Sequence, residues 1–282
     1  MRKIVLKPNR QKDAGLAITK RVLETLKKFC SEIYVENKYS ELVECGAVGF
    51  DAKHFPACDL MIVLGGDGSM LRAAADAFAH DVPMLGINMG RVGYLASLEP
   101  DEIASLSALF EGSYIVNEHV MLSVSVMKKS GEEVFLGNVL NDVVISGKGH
   151  LADMRLENGG HHLDYRADGL IAATPTGSTA YSFSAGGPVM EEGMDAICVT
   201  PVCPRSFFSR SLLFSPSAVL HITNTTTRGG DLDVSLDGCL HFPLALGESV
   251  SVRRAEKGVK ILVLKPRNLL EVLHTKMDMR HF

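Results

Sequence analysis

The pattern of hydrophobic and polar positions changes near residue 118. Before that point, short apolar runs alternate with segments in which apolar residues recur every three or four positions, as they do in amphipathic helices. The predicted strands are 3–6, 32–35, 59–64 and 84–88, and the predicted helices are 18–29, 69–80 and 101–110. This alternation predicts a doubly wound α/β domain with a Rossmann-like sheet over residues 1–118.

The second part of the chain has the period of β-strands. Val120, Leu122, Val124 and Val126 alternate with small or polar residues, which indicates a strand with one buried face. Further strands are predicted at 135–146, 170–174, 219–223, 232–236 and 250–252, with Gly- and Asn-rich turns between them. We therefore predict a mostly β domain over residues 119–282.

Composition narrows the class of protein. The 282 residues are 46% hydrophobic and 22% charged, which is typical of a globular chain, and the net charge of −4 argues against a nucleic-acid partner. No apolar stretch approaches the roughly 20 residues of a membrane span, and the N-terminal sequence MRKIVLKPNRQKD has no signal-peptide core, so we expect a cytoplasmic protein without a membrane partner. None of the six cysteines forms a C-x-x-C pair, which argues against a zinc site or a disulfide framework.

A glycine-rich loop follows the third predicted strand, in the segment VLGGDGSMLRAA. Gly65, Gly66 and Gly68 allow a positive φ and a close approach of backbone amides to a ligand, and the helix predicted from Ser69 favours a phosphate at its N-terminus. Asp67 lies where an open α/β sheet presents its ligands. The alternative interpretation is a tight turn that caps the helix. Neither a Walker A loop nor G-x-G-x-x-G occurs in the chain.

Two segments of the β-rich half carry groups that suit a nucleoside. In LNDVVIS, Asn141 has an amide that matches a purine edge, and Asp142 has a carboxylate that can accept both hydroxyls of a ribose. In ATPTGSTAYSFS, three hydroxyl residues precede Tyr181 at a predicted helix start, where one of them could be an N-cap and the tyrosine ring could stack on adenine. An Asx turn and an ordinary helix cap are the alternative interpretations.

Five segments together resemble the NAD kinase family. VLGGDGS is shared with a wider superfamily that includes diacylglycerol kinases, whereas GINMGRVGYLA, LNDVVIS, DGLIAATPTGSTAYSFSAGGPV and VTPVCPRSFFSRSLLF are similar to motifs of NAD kinases specifically. The resemblance covers residues 60–240. It implies an enzyme that transfers the γ-phosphate of ATP to the 2′-hydroxyl on the adenosine ribose of NAD, with Mg²⁺ or another divalent metal.

The resemblance also implies the residues of the site. The residues implied to bind NAD are Asp67, Gly68, Arg72, Asn141, Asp142, Arg166, Asp168, Thr179, Ala180, Tyr181, Ser182, Phe183 and Ser184. Gly65, Gly66 and Gly68 are expected to form the phosphate loop. Val92, Tyr94, Arg205 and Cys239 depart from the family pattern, and we assign no role to Arg205 or Cys239.

The expected mechanism is direct phosphoryl transfer, with Asp67 as the general base and no dedicated protein site for the metal. We also expect a homodimer or homotetramer, on the family resemblance. A lipid kinase of the diacylglycerol type is one alternative, although no basic amphipathic stretch provides a membrane-facing surface. The other alternative is a non-catalytic NAD-sensing module, from which the loss of Asp67 would be expected.

Overall fold

The computed structural model describes residues 2–90, 93–205, 208–227, 230–266 and 269–277. The chain forms two compact units. The first contains residues 1–118 and 259–282, and the second contains residues 119–258. The sequence-based division instead assigned residues 259–282 to the β-rich half.

The first unit is built on a seven-stranded sheet. Its strands are β1 (Lys3–Pro8), β2 (Glu32–Glu36), β3 (Val48–Phe50), β4 (Leu60–Gly65), β5 (Met84–Asn88), β6 (Ile115–His119) and β19 (Val259–Val263). Their order is β3-β2-β1-β4-β5-β19-β6, and every pairing from β3 to β19 is parallel. All residues of β4 and β5 are buried, as expected for central parallel strands covered on both faces.

The helices of this unit include the three that the sequence pattern predicts and two further ones, at Ser40–Glu44 and Leu269–Met277. They are α1 (Ala17–Leu26), α2 (Ser40–Glu44), α3 (Asp67–His80), α4 (Ala108–Glu111) and α6 (Leu269–Met277). A 3₁₀ helix at Pro100–Ser107 precedes α4, so the single helix predicted there is two short pieces. The α/β class predicted for this part of the chain is confirmed.

The C-terminal segment belongs to the first unit because it supplies a strand to the parallel sheet. β19 pairs with β5 through Ile261 and Met84, and Leu262 is buried in the core of this unit. Its apolar residues have the same short pattern as the strands of the β-rich half, so the sequence carried no sign of the sheet that it joins.

The second unit is two antiparallel six-stranded sheets that share one hydrophobic core. The first sheet contains β7 (Leu122–Met127), β8 (Glu133–Val139), β10 (Ala152–Asn158), β11 (His161–Ala167), β15 (Val219–Asn224) and β18 (Ser249–Arg254). The other contains β9 (Asp142–Ser146), β12 (Gly169–Ala173), β13 (Ile197–Val202), β14 (Leu212–Phe214), β16 (Leu232–Leu236) and β17 (Leu240–Leu244). One short helix, α5 (Tyr181–Ser184), follows β12. The mostly β class is confirmed.

Within the described residues, no helix is long and apolar enough to cross a membrane. All six cysteines are free thiols.

Candidate functional site

The glycine loop joins β4 to α3, and neighbouring side chains pack closely against part of it. None of Gly65, Gly66 and Gly68 has a positive φ, so the expectation of left-handed backbone was wrong. A Cβ on Gly65 would lie 2.2 Å from Ser69 Oγ, and a Cβ on Gly66 would lie 2.7 Å from Lys12 Nζ. Ser69 Cβ lies 2.4 Å from the same position on Gly65, so a side chain there would require the backbone of α3 to shift, whereas Lys12 Nζ is the end of a flexible side chain that can move away from Gly66. A Cβ on Gly68 would lie 3.7 Å from Arg72 Nη1, an ordinary van der Waals distance.

Asp67 is the first residue of α3, and its carboxylate is held by the backbone of a neighbouring loop. Oδ2 accepts a hydrogen bond from Tyr94 N at 3.1 Å, and Oδ1 accepts one from Leu95 N at 3.2 Å. A Cβ on Gly93 would lie 2.6 Å from Oδ1, which explains the glycine of the family motif. The carboxylate is therefore partly exposed at the N-terminus of α3 in a fixed orientation.

Arg72 lies one turn further along α3. Its Nη2 donates to Ser69 Oγ at 3.3 Å, and Ser69 Oγ also accepts a hydrogen bond from Asn9 Nδ2 at 2.9 Å. These three residues line a cavity of about 500 Å³ in the first unit. Arg72 thus presents a cation beside the glycine loop.

In the second unit, the start of β9 and the turn after β12 are packed together. Thr174 N donates to Asn141 O at 2.9 Å, and Thr174 Oγ1 donates to Leu140 O at 2.6 Å. A Cβ on Gly177 would lie 2.0 Å from Asn141 O, so only glycine permits this approach. Asn141 and Tyr181 are separated by 40 positions in the sequence, and this packing brings them to one place.

The result is a cavity of about 370 Å³ that contains part of the predicted NAD site. Asn141, Asp142, Ala180 and Tyr181 line it, as the resemblance implied for a nucleoside pocket. The pocket brings together an amide, a carboxylate and an aromatic ring, which are the groups that recognise a base and a ribose.

Asp237 lines this cavity, and the sequence analysis did not predict it as a site residue. It lies in the turn after β16 with a φ of 47°, and its carboxylate accepts hydrogen bonds from three successive backbone amides, Leu140 N at 2.9 Å, Asn141 N at 2.8 Å and Asp142 N at 3.0 Å. These bonds interrupt the strand predicted over 135–146, which is β8 and β9 in the structure. The Asp-Gly pair that follows the predicted strand 232–236 was the signal available in the sequence.

Burial and a neighbouring carboxylate raise the free-energy cost of ionising Asp142 in this cavity. Burial, and then the neighbouring charge of Asp237, raise the pKa of Asp142 to about 7. Burial also raises the pKa of Asp237, although its three amide hydrogen bonds act in the opposite direction. A second pair that sequence reasoning missed lies in the same cavity, where His241 Nδ1 is 2.6 Å from Asp233 Oδ2.

Tyr181 also lines a second cavity, of about 500 Å³. Asp168 and His150 are among its other walls. The Tyr181 side chain is 47% exposed, so it is not a core residue of the β-rich unit. The two cavities therefore share a ring that is accessible for stacking.

Several predicted residues do not line either of these two cavities. Ser182 is buried with its Oγ 2.9 Å from Thr200 Oγ1, and Thr179 Oγ1 donates to Thr176 O at 3.3 Å. The other predicted residues of this unit outside both cavities are Arg166, Phe183 and Ser184, all of them exposed. Arg166 Nε lies 3.8 Å from Asp153 Oδ1.

The hydroxyls before Tyr181 brace the turn and do not cap a helix. No side chain caps α5. Ser178 Oγ donates to Pro175 O at 2.6 Å and accepts from Met190 N at 2.9 Å, and Thr176 Oγ1 is 3.0 Å from Nδ1 of the buried His119. Burial lowers the pKa of His119 to about 4. The alternative interpretation of these hydroxyls as an N-cap of α5 therefore does not hold.

Of the departures from the family pattern, Arg205 and Cys239 line neither of these two cavities, whereas Tyr94 donates its backbone amide to Asp67. Arg205 and Cys239 are both exposed, and Arg205 N donates to Arg166 O at 2.8 Å. Val92 lies outside the described residues.

The features of the two units are those of a nucleotide-dependent phosphotransferase. One has a glycine loop at the N-terminus of a helix in a parallel sheet, and the other has a nucleoside-sized pocket with a carboxylate. Family models agree with this class: the ATP-NAD kinase N-terminal domain matches residues 3–114, and the ATP-NAD kinase C-terminal domain matches residues 140–264. The chain belongs to the ATP-NAD kinase family.

Individual relatives agree with the family models. The chain is 33% identical to an NAD kinase of Natranaerobius thermophilus over 98% of both chains, and 40% identical to one of Geobacter sulfurreducens over 78% of both. A crystal structure of an NAD kinase from Archaeoglobus fulgidus in complex with ATP superposes with a TM-score of 0.72 and 26% identity, over 98% of this chain and 99% of that one. The yeast NADH kinase complexed with NADH has the same fold, with a TM-score of 0.86 and 21% identity over 100% of this chain and 89% of that one.

Proposed function

We propose that this chain, an NAD kinase by family, transfers the γ-phosphoryl group of ATP to the 2′-oxygen on the adenosine ribose of NAD. The observation that carries the proposal is the single cavity in which Asn141, Asp142 and Tyr181 meet. The glycine loop with Asp67 in the other unit supplies the second requirement, a place for phosphates.

The acceptor is recognised through its adenosine half. The Asn141 amide contacts the edge of adenine, the Tyr181 ring stacks on its face, and the Asp142 carboxylate accepts the ribose hydroxyls. Asp142 is suited to this contact because Asp237 fixes the backbone on which it lies. The remainder of the dinucleotide occupies the cavity lined by Asp168, on the other side of the shared tyrosine.

Asp67 acts as the general base. Its carboxylate takes the proton of the 2′-hydroxyl as that oxygen forms a bond to the γ-phosphorus, and the bond from the γ-phosphorus to the β,γ-bridging oxygen breaks to release ADP. Two backbone amides hold the carboxylate in one orientation, and a carboxylate has about four acceptor positions, so these two bonds are compatible with proton transfer. The amides of Gly65, Gly66 and Gly68 hold the donor phosphates at the N-terminus of α3.

The described residues include no group of three or more His, Cys, Asp or Glu side chains that could hold a metal ion. Mg²⁺ suits this site nonetheless, because it retains water ligands and commonly binds through substrate phosphates and one or two carboxylates. The metal would be held mainly through the donor phosphates and water, which leaves the Asp67 carboxylate available as the base. When bound, the metal neutralises charge on the phosphates.

Incubation of the purified protein with NAD, Mg²⁺ and ATP tests the proposal. We expect NADP to form, and we expect none without the divalent metal. Diacylglycerol vesicles in place of NAD test the lipid kinase, and NAD binding without any turnover would identify the NAD-sensing module. Either result in the absence of NADP formation contradicts the proposal.

A cytoplasmic location and a homodimeric or homotetrameric assembly are further parts of the proposal, supported by the family resemblance. Light scattering on the purified protein tests the assembly, because a monomer at micromolar concentration would contradict it. Fractionation of the source cells tests the location.

A further inference from the structure

The turn 174–180, between β12 and α5, presents Ala180 and then Tyr181 to the cavity of about 370 Å³. Gly177 of this turn lies so close to Asn141 that a Cβ on it would be 2.0 Å from Asn141 O. A displacement of the turn would therefore change the distance between Asn141 and Tyr181, two walls of the same pocket. The affinity of the pocket depends on how firmly the turn is held.

Three hydroxyl side chains hold this turn in place. Thr174 and Ser178 form their hydrogen bonds with backbone groups. Thr176 differs, because its partner outside the turn is a side chain: Thr176 Oγ1 lies 3.0 Å from His119 Nδ1. This support can therefore be removed by substitution of either partner.

His119 lies 57 positions before Thr176 in the sequence and is the last residue of β6. It precedes β7, a strand of one antiparallel sheet, whereas the turn follows β12, a strand of the other. The His119 side chain is 3% exposed, and it lines neither of the two cavities that share Tyr181. It can therefore act on a bound ligand only through other residues.

The hydrogen bond explains why this buried position is a histidine. Burial lowers the pKa of His119 to about 4, so the ring is neutral at pH 7. Its Nε2 faces Glu192 Oε2 at 3.9 Å, which favours the ring proton on Nε2 and leaves Nδ1 to accept the hydrogen of the Thr176 hydroxyl. An apolar side chain would fill the same space without the cost of burying an imidazole. The bond to Thr176 is what the histidine adds.

We propose that His119 is a positioning residue for the acceptor site: through Thr176 it fixes the turn that presents Ala180 and Tyr181, and it thereby sets the affinity for NAD without contacting the dinucleotide. The inference rests on the proposed function, because it takes the pocket at Asn141, Asp142 and Tyr181 as the place where NAD binds.

Two variants of His119 with the same shape separate the hydrogen bond from packing. Leucine and asparagine are isosteric, but only the asparagine side chain has an oxygen that can accept the Thr176 hydroxyl. In titration calorimetry, we expect His119→Leu to weaken NAD binding about 5- to 30-fold and His119→Asn to remain within about three-fold of the parent protein. ATP with Mg²⁺ should bind both variants as it binds the parent, because the glycine loop belongs to the other unit. In steady-state kinetics, KM for NAD should rise while kcat changes little.

Thr176→Val removes the same hydrogen bond from the other side. It should weaken NAD by the same factor as His119→Leu, and the double variant should bind no more weakly than either single variant, since all three lack one shared bond. The matched control is Thr223→Val in β15, whose hydroxyl is 3.5 Å from Glu157 Oε2 and lines neither cavity. The control should bind NAD as the parent does.

Equal NAD affinity of the leucine and asparagine variants overturns the proposal, and so does additive weakening in the double variant. A parallel loss of NAD and ATP affinity with a lower melting temperature would show a general structural role and overturn it as well. If His119→Leu does not fold, Thr176→Val decides against Thr223→Val, and equal NAD affinities of these two overturn the proposal. If NAD binds as expected but no NADP forms, the proposed function fails while the positioning role stands.

Discussion

The two units position their candidate site residues in different ways. In the first unit, the phosphate loop and Asp67 come from consecutive residues, and a neighbouring loop supports them through Tyr94 and Leu95. In the second unit, the pocket requires a strand end at Asn141, a turn at 174–180 and Asp237, which are far apart in the sequence. Local order therefore defines the phosphate loop, whereas tertiary packing defines the nucleoside pocket.

The carboxylates of Asp67 and Asp142 also differ between the two units, in their exposure and in the groups that they face. Asp67 is partly exposed and faces backbone amides, which is compatible with the proton exchange that we propose for it. Asp142 is 5% exposed and lies beside Asp237, so its negative charge costs stability until a ligand donates hydrogen bonds to it. In the second unit, two neighbouring buried carboxylates thus destabilise the unliganded pocket, whereas the Asp67 carboxylate of the first unit accepts hydrogen bonds from backbone amides.

The largest expected effect is on Asp237. Asp237→Gly keeps the positive φ without strain but leaves three backbone amides without their acceptor, so we expect a loss of about 2–5 kcal/mol in the free energy of unfolding. Chemical denaturation measures it. Asp231→Gly is the control, because Asp231 is exposed. Equal stability of the two variants would show that the three hydrogen bonds do not support the pocket.

The next effect depends on pH and concerns Asp142. Its pKa is raised from 3.8 to about 7, so between these values the native state binds more protons than the unfolded state, and the free energy of unfolding falls as pH rises. Asp142→Asn removes this dependence. The variant should match the parent near pH 4 and exceed its stability by about 2–4 kcal/mol at pH 8. A stability difference that is constant over this range contradicts the electrostatic account.

The catalytic prediction concerns Asp67. Asp67→Asn keeps the size of the side chain but removes the base, so kcat should fall about 10²-fold or more with a modest change in KM for ATP. Steady-state kinetics with NAD, Mg²⁺ and ATP provide the measurement. Activity within a few-fold of the parent enzyme would falsify the assignment of Asp67 as general base.

The smallest expected effect concerns Tyr181. Because the ring is exposed and lines both cavities, Tyr181→Ala should weaken NAD binding about 5- to 150-fold, since stacking on a base contributes about 1–3 kcal/mol. Tyr181→Phe keeps the ring and should be nearly neutral. NAD titrations and thermal melts on both variants measure affinity and stability. A parent-like affinity in a stable alanine variant removes Tyr181 from the site.

Most of the fold could be predicted from the sequence, because the spacing of apolar residues along the chain indicates whether a segment is a helix or a strand. Strands 84–88 and 232–236 were predicted with their observed limits. The assignment of β19 could not be predicted, since its pattern does not encode that it pairs with β5, more than 170 residues away. The division of 135–146 into two strands depends on Asp237, which lies about a hundred positions downstream.

The same distinction applies to the site residues. The motifs predicted Asp67, Asn141, Asp142 and Tyr181 as site residues, but the family resemblance alone could not separate residues that line a cavity from those that support its walls. Ser182 is an example, because its hydroxyl is bonded to Thr200 in the core. Asp237 was missed because its role is visible only when its turn lies against the start of β9.

The central claim is that the chain phosphorylates the 2′-oxygen of NAD with the γ-phosphate of ATP. Its most direct test supplies γ-labelled ATP and Mg²⁺ to the purified protein, with either NAD or an analogue that lacks the 2′-hydroxyl of the adenosine ribose. The account predicts that label appears in NADP when NAD is present and in no dinucleotide when the analogue replaces it. Labelled product from the analogue, or no labelled NADP from NAD, would contradict it.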